Sequence, residues 1–553
     1  MHLLPLPVLQ ATKRIGVCHL LSKVLTPPGK TPCLSDILNL PVCRRVCQSV
    51  HLKLVANKRL MPLQPAFHPG WCARGRMMSL SVSVKRKTHL MHQKKQAIFI
   101  ADLGFGDAGK GTITDFLTRQ LPAHTIVRYN GGPQAAHNVV TPDGKHHTFA
   151  QFGSGMLLPW TKTLLSRFML INPLNMLKEE RHLAALGVSA ALERTWIDRR
   201  ALIITPFQKA INRLREISRA VNRHGSCGEG IGECTSDALN YGEAVLFAGD
   251  LQNRTTVIKK LQSLREIKYA ELAHLPLPAS QQVRQELAIF QDGTCIEDCA
   301  DVYRYFAERV KLVDEAALHT LFAQPGCIIF EGAQGVLLDE NYGFAPYTTW
   351  STTTFANADT LLQEHNYTGE ITRLGIVRAY ATRHGAGPFP TEDLALTRAL
   401  PDPHNSWNDW QQTFRVGHFD LVTTRYARDL VGKLDYLAVT HLDRMHAIPN
   451  WQVCTAYHYQ GGHEDLLPYF EQEGKSPARL TKIKIRRPGD MAHQERLTQK
   501  LWSCAPAYQS FSVCCSEEKK ETVYLSQLEE QLSVPIAIVS HGPTAVDKQI
   551  VAL

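Results

Sequence analysis

Along residues 96–553, short apolar runs alternate with longer amphipathic stretches, the pattern of strands laid between helices. Ala97–Ala101 is apolar and runs into glycines, and a helix is expected from Thr112 to about Gln120. His124–Tyr129, Thr163–Ile171 and Trp196–Ile204 read as further strands, and Pro206–Val221 is helical by its period. Cys327–Phe330, Gly375–Tyr380, Tyr436–Thr440 and Ile536–Ser540 are apolar runs that each break into a polar or glycine-rich turn. Such a succession predicts an α/β body: a large, mostly parallel central sheet flanked by helices, with ligands collecting at the strand ends. Leu251–Gln291 is charged helical material expected to form a peripheral subdomain, and Asp402–Trp410 is a polar, tryptophan-containing loop. No repeat or low-complexity block interrupts the pattern.

Residues 1–95 depart from it. They carry 16 Lys and Arg against the single acid Asp36, which leaves 45 basic and 50 acidic side chains in the remainder. The net charge of +10 therefore belongs to this basic extension, and the body offers no charge footprint for nucleic acid. Three readings stand for the extension: a segment outside the working protein, an organelle-targeting presequence, or a functional arm. In each, the catalytic domain spans 96–553. No apolar run approaches the roughly 20 residues that cross a bilayer, so no membrane partner is expected and the cytoplasm is the default location. The 14 cysteines show no paired CxxC spacing, which argues against zinc and a disulfide framework.

The chemistry concentrates first in Ala97–Thr112, AIFIADLGFGDAGKGT. Glycines let backbone N–H groups approach phosphate oxygens, and the following helix would point its positive end at them. Gly104 to Lys110 satisfies GxxxxGK, but Gly111 stands where a P-loop places the Ser or Thr that binds magnesium. Asp107, inside the loop, is the hard oxygen ligand at hand for the metal.

A second glycine cluster, Tyr129–Asn138 (YNGGPQAAHN), joins GDAGKG, FEGAQGVLLD at Phe330–Asp339, RAYATRHGAGPFPTE at Arg378–Glu392 and VSHGP at Val539–Pro543. Together they resemble the adenylosuccinate synthetase family, whose pieces read GDEGKGK, GGxNAGHT, FEGAQGTLLD, KAYTTRVGxGPFPTE and STGP in the same order. The resemblance implies a two-step ligase. GTP, with Mg2+, phosphorylates the 6-oxygen of IMP, and the amino group of aspartate then displaces the phosphate to give adenylosuccinate. It implies Asp107 as the base that takes the N1 proton, His137 as acid or electrophile, and Gln334 as a contact to the 6-oxo region. Gly106, Gly109, Lys110, Gly111, Thr112, Asp443, Ser540 and Gly542 are implied to bind GTP, with Lys110 and the loop N–H groups on phosphate and Asp443 on the guanine. Asp107 and Ala136, the latter standing for a family glycine, fall to the metal. Gln134, Ser226, Thr349, Arg383 and Arg415 are implied substrate contacts, and the family's dimer implies a homodimer.

Departures are unevenly spread. LAVTHLD (Leu437–Asp443) is similar to the family's LALTKLD and keeps the carboxylate that can accept the N1–H and 2-amino groups of guanine, but His441 replaces the lysine. The arginine-rich TTGRxRR that should grip the aspartate carboxylates is reduced to Gln411–Arg415, with Arg415 alone remaining. The substrate-phosphate loop TTGRGIGP becomes Ser226–Glu233 (SCGEGIGE), where Glu229 and Glu233 bring like charge, and Asn240–Tyr241 replace a downstream arginine. Three functions stay open: adenylosuccinate synthesis itself; a related ligase aminating another purine nucleotide, such as a guanine nucleotide, or using another amine donor; and a nucleotide-binding regulator without the ligase step.

Overall fold

The computed structural model describes residues 94–552 apart from 221–222, 403–404, 406, 408–409, 449, 463–464, 474–478 and 511–516. The basic extension, Lys94 and Lys95 excepted, thus lies outside the described residues, as does part of the Asp402–Trp410 loop.

Among the described residues, ten strands form one sheet in the order Lys548–Ile550, Ile536–Ser540, Tyr436–Thr440, Glu370–Arg378, Lys95–Asp102, Gly326–Glu331, Thr125–Arg128, Lys162–Leu165, Thr195–Asp198 and Lys311–Val313. Every neighbouring pair is parallel except the edge strand Lys548–Ile550, which runs antiparallel to Ile536–Ser540. The expected mostly parallel α/β sheet is therefore present. The central strand Lys95–Asp102 is apolar on both faces because both are covered. Phe99 packs among Phe330, Phe355 and Phe322, while Ile98 and Ile100 meet Ile113, Phe116 and Leu117 of the helix Lys110–Gln120.

Parallel register places one set of residues along one edge. Ile100 pairs with Glu331, Glu331 with Arg128, and Arg378 with Thr440. Their strands all end there, and the glycine loops leave from the same edge, which is where an open parallel sheet binds ligands.

Some expectations need correction. The run expected as a strand over Thr163–Ile171 is the strand Lys162–Leu165 followed by a turn, and only Ile171 rejoins, in a bridge to Ile203. The run Trp196–Ile204 stops at Asp198, whose carboxylate accepts from Arg200 N at 2.9 Å and turns the chain. Leu251–Gln291 forms two helices, Arg254–Leu272 and Gln281–Gln291. They join the helical layer and do not stand apart: Phe290 lies 5.6 Å from Phe207 of the helix Pro206–Ser218. A second sheet, built from Phe419–Asp420, Gln452–Tyr459, Phe470–Glu473, Arg479–Ile483 and Cys504–Ser510, has no counterpart in the sequence reading. Two of its strands, FEQE and RLTKI, are half-exposed and charged, while QVCTAYHY and CAPAYQS are interrupted by polar residues or proline, so none reads as a clean apolar run.

Candidate active site

The loop after the central strand is organised by Asp102, a residue the sequence reading passed over. Its buried carboxylate accepts from Gly104 N (3.0 Å), Ala108 N (2.9 Å) and Lys110 Nζ (3.0 Å). Lys110, expected on nucleotide phosphate, thus closes its own loop with a buried ion pair. An acid ending an otherwise apolar buried strand was the available signal. Gly111 has a steric reason: a Cβ there would lie 2.7 Å from His137 Cβ. The missing P-loop hydroxyl is the cost of bringing His137 against the start of the helix. Gly335 is equally constrained, since its Cβ would fall 2.1 Å from Gly104 O. The Gly104–Gly106 and Gly332–Leu337 turns are consequently locked together, with Leu337 N donating to Gly104 O at 3.0 Å.

Asp107 sits half-buried in this loop with φ 62°, a strained value for a residue with a side chain. Its carbonyl accepts from Arg378 at 3.1 Å. Burial raises its carboxyl above the usual range even though Lys110, His384 and Arg378 pull it down. Across from it, His137 Nδ1 lies 2.7 Å from Glu331 Oε1, and Ser154 donates to the same carboxylate through its N–H (2.9 Å) and its hydroxyl. Burial pushes His137 down to about 4 against the pull of Glu331, so the ring is neutral at neutral pH. A carboxylate can only accept, so Nδ1 carries the proton and Nε2 faces the site as an acceptor. Arg128, fully buried, donates to the carbonyls of Ala150 and Phe152, while its Nε and one terminal nitrogen have no partner. Glu331, Ser154 and Arg128 were all missed as a set. Glu331 lies within a motif quoted above, but its partner is 194 residues away.

The two glutamines converge on the Gly131–Gly132 turn. A Cβ at Gly131 would lie 3.0 Å from Gln334 Oε1, and one at Gly132 the same distance from Gln134 Oε1. Gln334 Oε1 and both amide atoms of Gln134 are buried without a partner. Buried amide atoms without a protein partner call for a water or a polar ligand to complete them. Asn130 fixes this turn against the neighbouring loop, donating to Ala333 O (3.1 Å) and accepting from Ala333 N (2.8 Å). Thr349 is held through its N–H by Leu338 O at 2.8 Å, next to a half-exposed Trp350 that packs on Gly232.

At the opposite end of the edge, Asp443 and the Ser540–Gly542 turn follow adjacent parallel strands. Thr112 Oγ1 donates to Pro543 O at 2.7 Å, tying that turn to the first helix. Buried Lys548, absent from the sequence reading, donates to Gly542 O (3.1 Å) and Thr544 O (2.7 Å), and burial lowers it to about 8. His441 is held neutral by burial, with Tyr380 at 6.1 Å and Thr440 Oγ1 at 2.9 Å from Nδ1.

The two expected substrate arginines are placed together and largely engaged by the protein, with Arg383 Nη2 and Arg415 Nε left without a partner. Arg383 donates to the carbonyls of Ala386 (3.0 Å) and Pro388 (2.7 Å), its guanidinium 4.1 Å from the Phe105 ring. Arg415, paired with it in register, donates to Glu392 (2.8 Å) and to the carbonyls of Gly385 (2.7 Å) and Gly387 (2.9 Å). Both clamp one turn. Ser226 Oγ donates to Asn212 Oδ1 at 3.1 Å.

The donor set for a metal is a single carboxylate, Asp107, and among the described residues no three acidic, His or Cys side chains converge. That chemistry suits Mg2+ shared with phosphate oxygens rather than a cage of protein ligands. Ala136, exposed on the bend before His137, has only its carbonyl oxygen to offer.

A glycine loop with a buried acid, a histidine oriented by a carboxylate and two amides without protein partners thus share one edge of the parallel sheet, and the comparisons give the class: a C–N bond-forming ligase. The family model described as adenylosuccinate synthetase matches residues 99–549, and the chain belongs to that family. The adenylosuccinate synthetase of Desulfovibrio desulfuricans is 32% identical over 450 residues, covering 79% of this chain and 96% of the relative. That of Synechocystis sp. is 32% identical over 462 residues, covering 80% and 93%. Among solved structures, the fully ligated adenylosuccinate synthetase of Plasmodium falciparum shares the fold at a TM-score of 0.64 and 20% identity, covering 82% of this chain and 99% of that one. A cyanophage S-2L succinoaminodeoxyadenylate synthetase bound to dGMP and dATP matches at 0.51 and 14% identity, covering 83% and 97%.

Proposed function

We propose that the chain is a GTP-dependent, C–N bond-forming ligase of purine biosynthesis, joining aspartate to carbon 6 of a hypoxanthine substrate, IMP in the family reaction, to give the adenylosuccinate-type product. The observation that carries this is the convergence of Asp107, the His137–Glu331 pair and the unpartnered Gln334 amide oxygen on one edge of the sheet.

A purine 6-oxo group leaves poorly, so it must first become a phosphate ester. Asp107, its basicity raised by burial, takes the N1 proton and concentrates charge on the 6-oxygen. That oxygen attacks the γ-phosphorus of GTP. His137 presents Nε2 to the site, and the approach of a phosphate dianion favours its protonated, donating form, which Glu331 then stabilises across Nδ1. In the second step the aspartate amine attacks carbon 6, the C6–O bond breaks, and inorganic phosphate departs with the 6-oxygen. Mg2+, held by Asp107 and the nucleotide phosphates, would offset the charge of the transferring group. Asp443 supplies the acceptor pair that distinguishes guanine from adenine. A homodimer and a cytoplasmic location accompany this proposal; no helix among the described residues is long and apolar enough to cross a membrane.

The test is phosphate release and product mass with GTP, purine and aspartate, each omitted in turn. Release that requires all three supports the reading; release without purine or aspartate, or no release at all, contradicts it.

A further inference from the structure

His147, on the strand His146–Phe149, and His182, on the helix Pro173–Ala185, bring their Nδ1 atoms to 2.7 Å from each other. Both lie outside the motifs that carry the family resemblance. Their ring centroids are 4.8 Å apart and their planes differ by 25°. That separation is close to the N···N distance plus one ring radius on either side, so the rings meet edge to edge in roughly one plane. Both in-plane nitrogen directions therefore converge on one point. A neutral imidazole has one N–H and one lone pair, so without an ion one Nδ1 donates to the other. A cation that accepts two imidazoles fits in the place of that single proton.

The far side of His147 completes the pattern. Its Nε2 is buried without a hydrogen-bond partner and lies 3.6 Å from Glu179 Oε1. When Nδ1 binds a metal the ring proton sits on Nε2, and a carboxylate facing that N–H is the usual outer support of a metal-bound histidine. Glu179 precedes His182 by three residues, which puts both on one face of the helix. Its two oxygens accept from Ala150 N and Gln151 N, each at 3.0 Å, so the carboxylate is fixed in place. His147 is only 1% exposed whereas His182 is exposed, which gives an ion a way in and leaves its outer side to water. Paired imidazoles suit a nitrogen-favouring ion such as Zn2+ and not Mg2+.

We infer that His147 and His182 form a second metal site, separate from the Mg2+ of the reaction, that takes one Zn2+-like ion on the two Nδ1 atoms. Glu179 supports His147 from behind, and water fills the remaining positions, since no third side chain joins the pair among the described residues. The nitrogens part to roughly 3.3 Å as the ion settles about 2.0–2.1 Å from each. Such an ion clips the helix Pro173–Ala185 to the hairpin that carries His137, in which His147 pairs with Val139 and Phe149 with His137. The experiment is calorimetric titration of the chelator-stripped full chain with Zn2+ alone, beside His182→Gln, with the thermal unfolding midpoint of each read with and without Zn2+. The unmodified chain is expected to take up one ion more than His182→Gln, and Zn2+ to raise its midpoint by more than that of the variant. Other histidines and the cysteines contribute alike to both proteins, so the difference reports this pair. Glu179→Gln should keep the extra ion but hold it about 10–100-fold more weakly. Equal Zn2+ uptake by the unmodified chain and His182→Gln, an equal midpoint response, or unaltered affinity in Glu179→Gln would each overturn the inference.

Discussion

The two ends of the site handle polar groups in opposite ways. Around Asp107 and His137 the fold leaves groups unsatisfied: the amide oxygen of Gln334, both amide atoms of Gln134, and part of the Arg128 guanidinium. Around the Gly225–Gly230 and Gly385–Pro388 turns, most groups with the chemistry to grip phosphate or carboxylate are engaged by the protein's own carboxylates and carbonyls, with Arg383 Nη2 and Arg415 Nε left without a partner. An enzyme keeps unpaired polarity where a ligand completes it and removes it where none arrives, because a buried unpaired group costs about 1–3 kcal/mol. The first end keeps more unpaired polarity than the second, where the arginines are largely engaged by the protein itself.

The contrast breaks most sharply at Asp107. Asp107→Asn keeps the shape but removes the base, so turnover should fall by about 10²–10⁴-fold while GTP binding persists, measurable by steady-state phosphate release alongside calorimetry. Retained turnover would take Asp107 out of the base role. Next in size is acid sensitivity. His137 has its proton affinity lowered from 6.5 to about 4, so the unfolded chain binds a proton that the folded one refuses. Stability is therefore full above about pH 6.5 and falls as pH drops toward 4, by on the order of 3 kcal/mol from this residue at roughly 1.4 kcal/mol per pKa unit. Urea unfolding between pH 7 and 4.5 reads the slope, and His137→Gln should flatten it. Gly111→Ala is smaller: the added methyl meets His137 Cβ at 2.7 Å, and overpacking of this kind costs about 1–3 kcal/mol, read as a lower unfolding midpoint together with reduced turnover. The least effect belongs to the other end. Glu392→Gln removes a partly exposed partner of Arg415 and should change stability by about 1 kcal/mol or less without altering the KM for the amine donor. A large rise in that KM would show that the turn grips substrate after all.

The glycine loops, the central strands and the parallel sheet were legible because each depends on local pattern: an apolar run, a breaker, a period. The residues that shape the chemistry were legible only as types. Lys110 reads as a phosphate ligand, and the ion pair it also makes with Asp102 at 3.0 Å is visible only in the fold. Glu331 acquires its partner from a histidine distant in the chain, and only strand pairing shows that Arg383 and Arg415 both hold the carbonyls of one turn. The second sheet escaped notice for a different reason. Two of its strands, FEQE and RLTKI, are short, half-exposed and mixed with charged residues, and alternation over four or five residues is weak evidence.

The central claim is that the Asp107 end activates the purine 6-oxygen by phosphorylation before the amine arrives. It is tested most directly by supplying the purine with 18O at the 6-position, together with GTP and aspartate, and weighing the inorganic phosphate released. The account predicts phosphate that carries the purine's 18O. Unlabelled phosphate released alongside an aminated purine would contradict it.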